Sequence, residues 1–266
     1  LIFGAFDLLI LDQQTPASGS GKWLFLPPGS PPSVPWGIAA AARTAVAFAV
    51  LLAAFMVLEG WLVSAFPPGK AEPSRAYLFV INICVQNALA LLLVGRVARR
   101  SGFSFSFLPP AATARAEFGQ AFRAYASVLP ALLLLLGLSS LLNRWLGIRP
   151  SPQPLVGYVL GRGGVGPAVL LVGAGVVLAP LAEEIVFRGF LYPALRKRFS
   201  AAAAIVISSA FFALLHFDPY SWPVIAGLGV FLAWVYERTG RLSTCVLIHA
   251  IHNSLFLAYA LIRAAL

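Results

Sequence analysis

Three short clusters in the C-terminal half of the chain carry residues able to move protons or hold charge. Glu183, Glu184 and Arg188 occur in LAEEIVFRGF, Phe212 and His216 in FFALLHF, and His249, His252 and Asn253 in LIHAIHNS. Carboxylates and imidazoles are the common general acids and bases, while imidazole and carboxamide N–H groups can stabilise a developing oxyanion. Helical spacing sorts their roles, because residues four apart lie about 40° apart around the axis and neighbours about 100°. Glu184 and Arg188 can therefore pair directly, and a structural ion pair supporting a polar helix face is the favoured reading of those two. Glu183 lies on another azimuth, free to face a cavity as general base. His249 and Asn253 share a face and present donors in one direction, suited to a tetrahedral intermediate. His252 is off that face, where a helix-packing hydrogen bond suits it better. Phe212 and His216 repeat the four-residue relation, which puts an aromatic ring beside the imidazole. Pro180 removes a helix hydrogen bond and clashes with the Val176 carbonyl, so a bend is expected just before the acids.

The elements that position these residues follow from composition. Of 266 residues, 60% are hydrophobic and 11% charged, with mean hydropathy +0.87. An ordinary soluble domain carries about a quarter of its residues as charges, so lipid is the solvent for most of this chain. Apolar segments run over Ile38–Phe66, Tyr77–Val97, Tyr125–Leu146, Val165–Leu191, Ala201–His216, Trp222–Tyr236 and Leu242–Ile262. The fifth and sixth are short, which is tolerated where helices pack on protein rather than lipid. Glu59, Glu183 and Glu184 are the acids inside these segments, and charge at membrane depth marks a functional candidate by default. Residues 1–36 form an N-terminal arm rich in Pro and Gly, and 37–266 the transmembrane domain. Leu1–Leu11 is too short to span and lacks a basic leader, so it is not read as a signal peptide. Phe118, Phe122 and Tyr125 recur at helical spacing among Arg115 and Arg123, the pattern of an amphipathic interfacial helix, with Phe103, Phe105 and Phe107 ahead of it as interfacial anchors. Lys and Arg fall on one side of the predicted segments roughly twice as often as on the other, which places the N-terminal arm and the Arg196–Arg198 loop in the cytoplasm.

Other readings are weaker. The +10 formal charge sets topology in such a chain rather than binding nucleic acid. Cys84 and Cys245 lie in apolar runs and read as buried small hydrophobes. The GRGGVG run at Gly161–Gly166 matches a phosphate fingerprint formally, but no βαβ unit surrounds it, so a turn at the membrane edge is expected.

The set EExxxR (Glu183, Glu184, Arg188), FxxxH (Phe212, His216) and HxxxN (His249, Asn253), in that order, resembles the CPBP family of membrane proteins, which contains type II CAAX prenyl endopeptidases and Abi-type bacteriocin-processing proteins. The resemblance covers 165–262. It implies an all-α, polytopic transmembrane bundle of seven to eight spans and a glutamate-dependent intramembrane endopeptidase acting on a membrane-associated protein or peptide. Glu183 with His216 would activate water, His249 with Asn253 would hold the oxyanion, and Glu184, Arg188 and Phe212 would support the site. No cofactor is expected. Zinc held by Glu183, His216 and His249 is the mechanistic rival, disfavoured because neither an H-E-x-x-H motif nor a Cys cluster is present. A non-catalytic scaffold that docks a membrane partner through the N-terminal arm is the alternative from another class, and a transporter is weaker still, since no internal repeat is evident. The expected location is the bacterial cytoplasmic membrane, among membrane lipid.

Overall fold

The computed structural model of the protein describes residues 29–64, 72–105, 113–149, 154–159 and 165–265. Most of the arm, Phe107, and Gly161 to Gly164 of the glycine-rich run lie outside these residues. Eight helices are described: α1 (Ile38–Ser64), α2 (Glu72–Arg100), α3 (Ala114–Trp145), the single turn α4 (Pro154–Gly157), α5 (Val165–Arg196), α6 (Ala201–Leu214), α7 (Trp222–Thr239) and α8 (Leu242–Ala265). No strand occurs among the described residues.

Five helices, α1, α2, α3, α5 and α8, are long and apolar enough to cross a membrane. The two short segments expected to span do form helices, α6 and α7, but α6 is only 14 residues long. They form the most closely packed helix pair, and α7 is sealed by protein along Leu228–Tyr236. Lipid-facing and central helices separate clearly: 6% of the apolar window of α1 is buried, against 28% of that of α5. α2 packs along α5, and α8 lies against both α3 and α5.

Successive major helices alternate in direction. At one end Trp36 meets the Phe190 carbonyl, the Phe105 ring covers Gly189, Arg196 pairs with Glu237, and Glu117 accepts from Ser243 and Thr244. At the other end Tyr77 lies over Gly166 and Asn143 reaches Tyr220. Thus α1, α3, α6 and α8 run one way, and α2, α5 and α7 return.

Three expectations change. The amphipathic stretch around Phe118 is no separate helix; it is the first turns of the continuous α3, because no breaker intervenes before Pro130, which the helix absorbs. Its Phe118 and Phe122 point outward, while Tyr125 is buried in the core. Phe103 and Phe105 do not anchor in the interface but pack around Trp36, with centroid distances of 5.1 and 5.9 Å. The last residues of the arm are likewise part of the bundle. Val34 and Trp36 are buried, Trp36 Nε1 donates to the Phe190 carbonyl at 3.0 Å, and Gly29 N–H donates to the Arg238 carbonyl at 2.9 Å. This strap crosses the α7–α8 turn, where Gly240 has φ +63° and a Cβ would collide with the Ser30 carbonyl. Only glycine meets both demands cheaply.

Candidate active site

α5 carries both acids between two wide turns. Ala174–Leu178 and Ile185–Leu191 follow i→i+5 hydrogen bonding, and Ala179–Glu184 between them is α-helical. Such π-bulges occur mostly at functional sites. Pro180 accounts for the first. Ala179 N–H reaches back to the Ala174 carbonyl, and in that register the next donor would come from residue 180, a proline without one. The Gly175 carbonyl so deprived accepts instead from Asn253 Nδ2 of α8, at 2.8 Å. The expected bend is thus taken up as a widened turn, and α5 continues through it.

Glu184 and Arg188 form the predicted i, i+4 pair, at 2.9 Å, with Glu184 at 0% and Arg188 at 1% exposure. Arg188 also donates to the Gly229 carbonyl of α7 at 2.9 Å, and its guanidinium carbon stands 4.6 Å from the Phe212 ring centroid. The same oxygen of Glu184 contacts His249 Nδ1 at 2.8 Å. This buried triad links α5, α7 and α8.

Glu183 points elsewhere, as its azimuth requires, and is half-buried. Its Oε2 is buried without a hydrogen-bond partner and lies 4.0 Å from His216 Nε2 and 3.8 Å from His249 Nε2. His216 Nδ1 lies 2.7 Å from the Phe212 carbonyl, so that nitrogen carries the proton and Nε2 is left to accept when the ring is neutral. Two imidazole Nε2 atoms thus face one carboxylate oxygen across gaps too long for direct hydrogen bonds. The Phe212 ring packs edge-on to both imidazoles and to Phe187, forming the apolar wall.

Glu183, Glu184, Arg188, Phe212, His216 and His249 therefore come together at one place. Asn253 stands one turn beyond His249, with its amide engaged by Gly175. His252 makes the expected packing bond, its Nδ1 3.0 Å from the Tyr125 hydroxyl of α3. Among the described residues no group of three His, Cys, Asp or Glu side chains is close enough to hold a metal. Sequence spacing did not reveal Gly175 and Gly229, which act through backbone carbonyls, nor the partners of Glu59 and Glu117. Glu59 accepts from Asn82, which in turn accepts from Gln86, and Glu117 accepts from Ser243 and Thr244. An acid in one apolar helix with amides or hydroxyls in another was the only available signal.

Residues 165–255 match the family model of Rce1-like type II CAAX prenyl endopeptidases, and the match spans α5 to α8 with all three motifs. This segment resembles membrane proteases of the CPBP type. Similar proteins include the membrane-embedded CAAX protease MroQ of Staphylococcus aureus (strain USA300), 35% identical over 93 residues, or 33% of this chain and 38% of that protein. YdiL of Bacillus subtilis (strain 168), named as an inferred membrane peptidase, is 28% identical over 88 residues, 33% of this chain and 35% of its own. The chain thus spans little more than a third of the length of the curated relatives it matches. No solved structure matches it significantly. α1, α2 and α3, which complete the bundle, lie outside the matched segment.

Proposed function

We propose that the protein is a glutamate-dependent intramembrane endopeptidase that hydrolyses a peptide bond of a membrane-associated protein or peptide, of CAAX or leader type. The observation that carries the reading is the buried, unpaired Glu183 Oε2 facing His216 Nε2 and His249 Nε2 at 4.0 and 3.8 Å. Water bound between Glu183 and His216 gives up a proton as its oxygen attacks the scissile carbonyl. The carbonyl oxygen becomes an oxyanion held by the amide hydrogen of Asn253 not used by Gly175 and by His249 Nε2–H, which requires the cationic ring with both nitrogens protonated and Nδ1–H directed at Glu184. Collapse of the tetrahedral intermediate passes the stored proton to the leaving amine. Glu184, itself fixed by Arg188, orients His249 through Nδ1.

No metal is required by this scheme. A tetrahedral zinc with ligands at about 2.1 Å holds them about 3.4 Å apart, closer than the spacings around Glu183. The end of the bundle bearing Arg96, Arg99, Arg100, Arg196, Lys197 and Arg198 is assigned to the cytoplasm by its positive charge.

The test uses purified protein in liposomes with prenylated and leader-type reporter peptides. Glu183→Gln and His216→Ala are expected to lower turnover by about 100-fold or more while insertion and yield stay normal. Chelation should leave wild-type activity intact. Normal turnover in both variants would overturn the reading, and activity lost to chelator and restored by zinc alone would overturn its metal-free form.

A further inference from the structure

His216 lies just beyond the end of α6, and the turn after it is held from outside the matched segment. Tyr220 in that turn is gripped by α3 at its backbone and at its side chain. Asn143 Nδ2 donates to the Tyr220 carbonyl at 2.9 Å, and the Ser139 hydroxyl approaches the same oxygen at 3.4 Å. The Tyr220 hydroxyl donates to Ser140 Oγ at 3.3 Å. Asn143 is only 4% exposed, in a helix whose Leu138, Leu141 and Leu142 face outward. An amide buried at such a place costs several kcal/mol unless bonded, so its partner explains its presence.

Between Tyr220 and His216 the chain has little slack. The Asp218 carbonyl accepts from the N–H groups of Ser221 and Trp222, at 3.0 and 3.2 Å, and the Ser221 hydroxyl donates to Asp218 Oδ2 at 2.5 Å. Phe217 has φ +49°, a left-handed conformation unfavourable for a side chain of that size, and its ring is 81% exposed. Its own packing therefore does not hold it there; the turn does.

We infer that Asn143, assisted by Ser139, is a positioning residue that fixes the α6–α7 turn and so keeps the His216 imidazole facing Glu183. The catalytic consequence rests on the peptidase reading above, whereas the effect on His216 does not.

The chain holds three histidines, so uniform 15N-histidine labelling in nanodiscs yields three imidazole systems, with His216 assigned through His216→Gln. The wild type should show His216 as a single Nδ1–H tautomer. Asn143→Leu keeps the volume but removes the donor, and should average the His216 tautomers while His249 and His252 keep their shifts. Asn143→Gln, which retains an amide, should restore the single tautomer. With reporter peptides, Asn143→Leu should lower kcat about tenfold or more, since small misplacements cost that much, with KM changed less than about twofold. If Asn143→Leu does not accumulate in membranes, Ser139→Ala should produce the same His216 averaging to a smaller degree. An unchanged His216, or three histidines shifting together, would overturn the assignment. A His216-selective change in a protein without any peptidase turnover would support the assignment and defeat the peptidase reading.

Discussion

Removing the cation from the buried pair tests the core of the site most severely. Arg188→Met keeps length and approximate volume but deletes the contact with Glu184 at 2.9 Å, the bond to the Gly229 carbonyl at 2.9 Å and the cation over Phe212. The dominant loss is the stranding of a carboxylate that is 0% exposed. Breaking a buried pair from one side costs about 3–5 kcal/mol, more than the net worth of the bonds themselves. At about 2–4 °C per kcal/mol for a chain of this size, melting should fall by roughly 6–20 °C. Glu184→Gln alone strands Arg188 and should be of similar severity. The double variant buries two neutral groups of similar shape, so it should be far more stable than the sum of the singles predicts, with a coupling of about 2–3 kcal/mol. Thermal unfolding of detergent-solubilised protein, read by tryptophan fluorescence, measures the cycle. The recovered double variant should nonetheless cleave poorly, because a glutamine holds His249 Nδ1 with only a neutral acceptor. Effects additive within about 0.5 kcal/mol would refute the claim that the pair acts as one unit.

Two further outcomes follow from backbone geometry. Asn253→Ala should destabilise by about 1–3 kcal/mol by leaving the Gly175 carbonyl unpaired, and by clearly less in a Pro180→Ala background, where residue 180 regains an N–H; equal losses in both backgrounds would contradict the link between Pro180 and Asn253. Gly240→Ala should loosen the strap, because φ +63° and the Ser30 carbonyl both resist a Cβ. Limited proteolysis near Ser30 should then speed up while the helical circular dichroism is unchanged.

Much of the site was legible because charge is so scarce in this chain. Four-residue spacing foretold the Glu184–Arg188 pair, and the 100° offset of a neighbour foretold that Glu183 would face elsewhere. What spacing cannot carry is contact between helices. His249 and Asn253 share a face as their spacing predicts, but that spacing gives no sign that His249 Nδ1 meets Glu184 on α5 or that Asn253 serves Gly175. The wide turns were equally hidden, since a proline in an apolar run predicts a disturbed helix without saying whether it kinks or widens. The continuity of α3 was missed because its periodicity changes from amphipathic to uniformly apolar near Val128, and a change of solvent along one helix looks like a boundary between two. Asn143 drew no attention for a related reason: a single amide among leucines has no motif, and its role depends on a turn 77 residues away.

The acids placed in or beside the apolar helices divide by whether the carboxylate has a hydrogen-bonded partner. Glu59 meets Asn82, Glu117 meets Ser243, Thr244 and Arg241, Glu237 meets Tyr192 and Arg196, and Glu184 meets Arg188 and His249. All but the Glu184–Arg188 contact join two elements, and each offsets the cost of removing a carboxylate from water. Glu183 is different in kind. Its carboxylate has no hydrogen-bonded partner among the described residues, and its Oε2 faces two imidazole nitrogens at 3.8 and 4.0 Å. The other oxygen of Glu184 is also buried without a partner, but that carboxylate is already held by Arg188 and His249 through Oε1. A structural acid would gain by closing the gaps to the two imidazoles. Standing between two imidazoles and hydrogen-bonded to neither, Glu183 is placed unlike the acids that hold the helices together, which is the physical ground for proposing it as the general base.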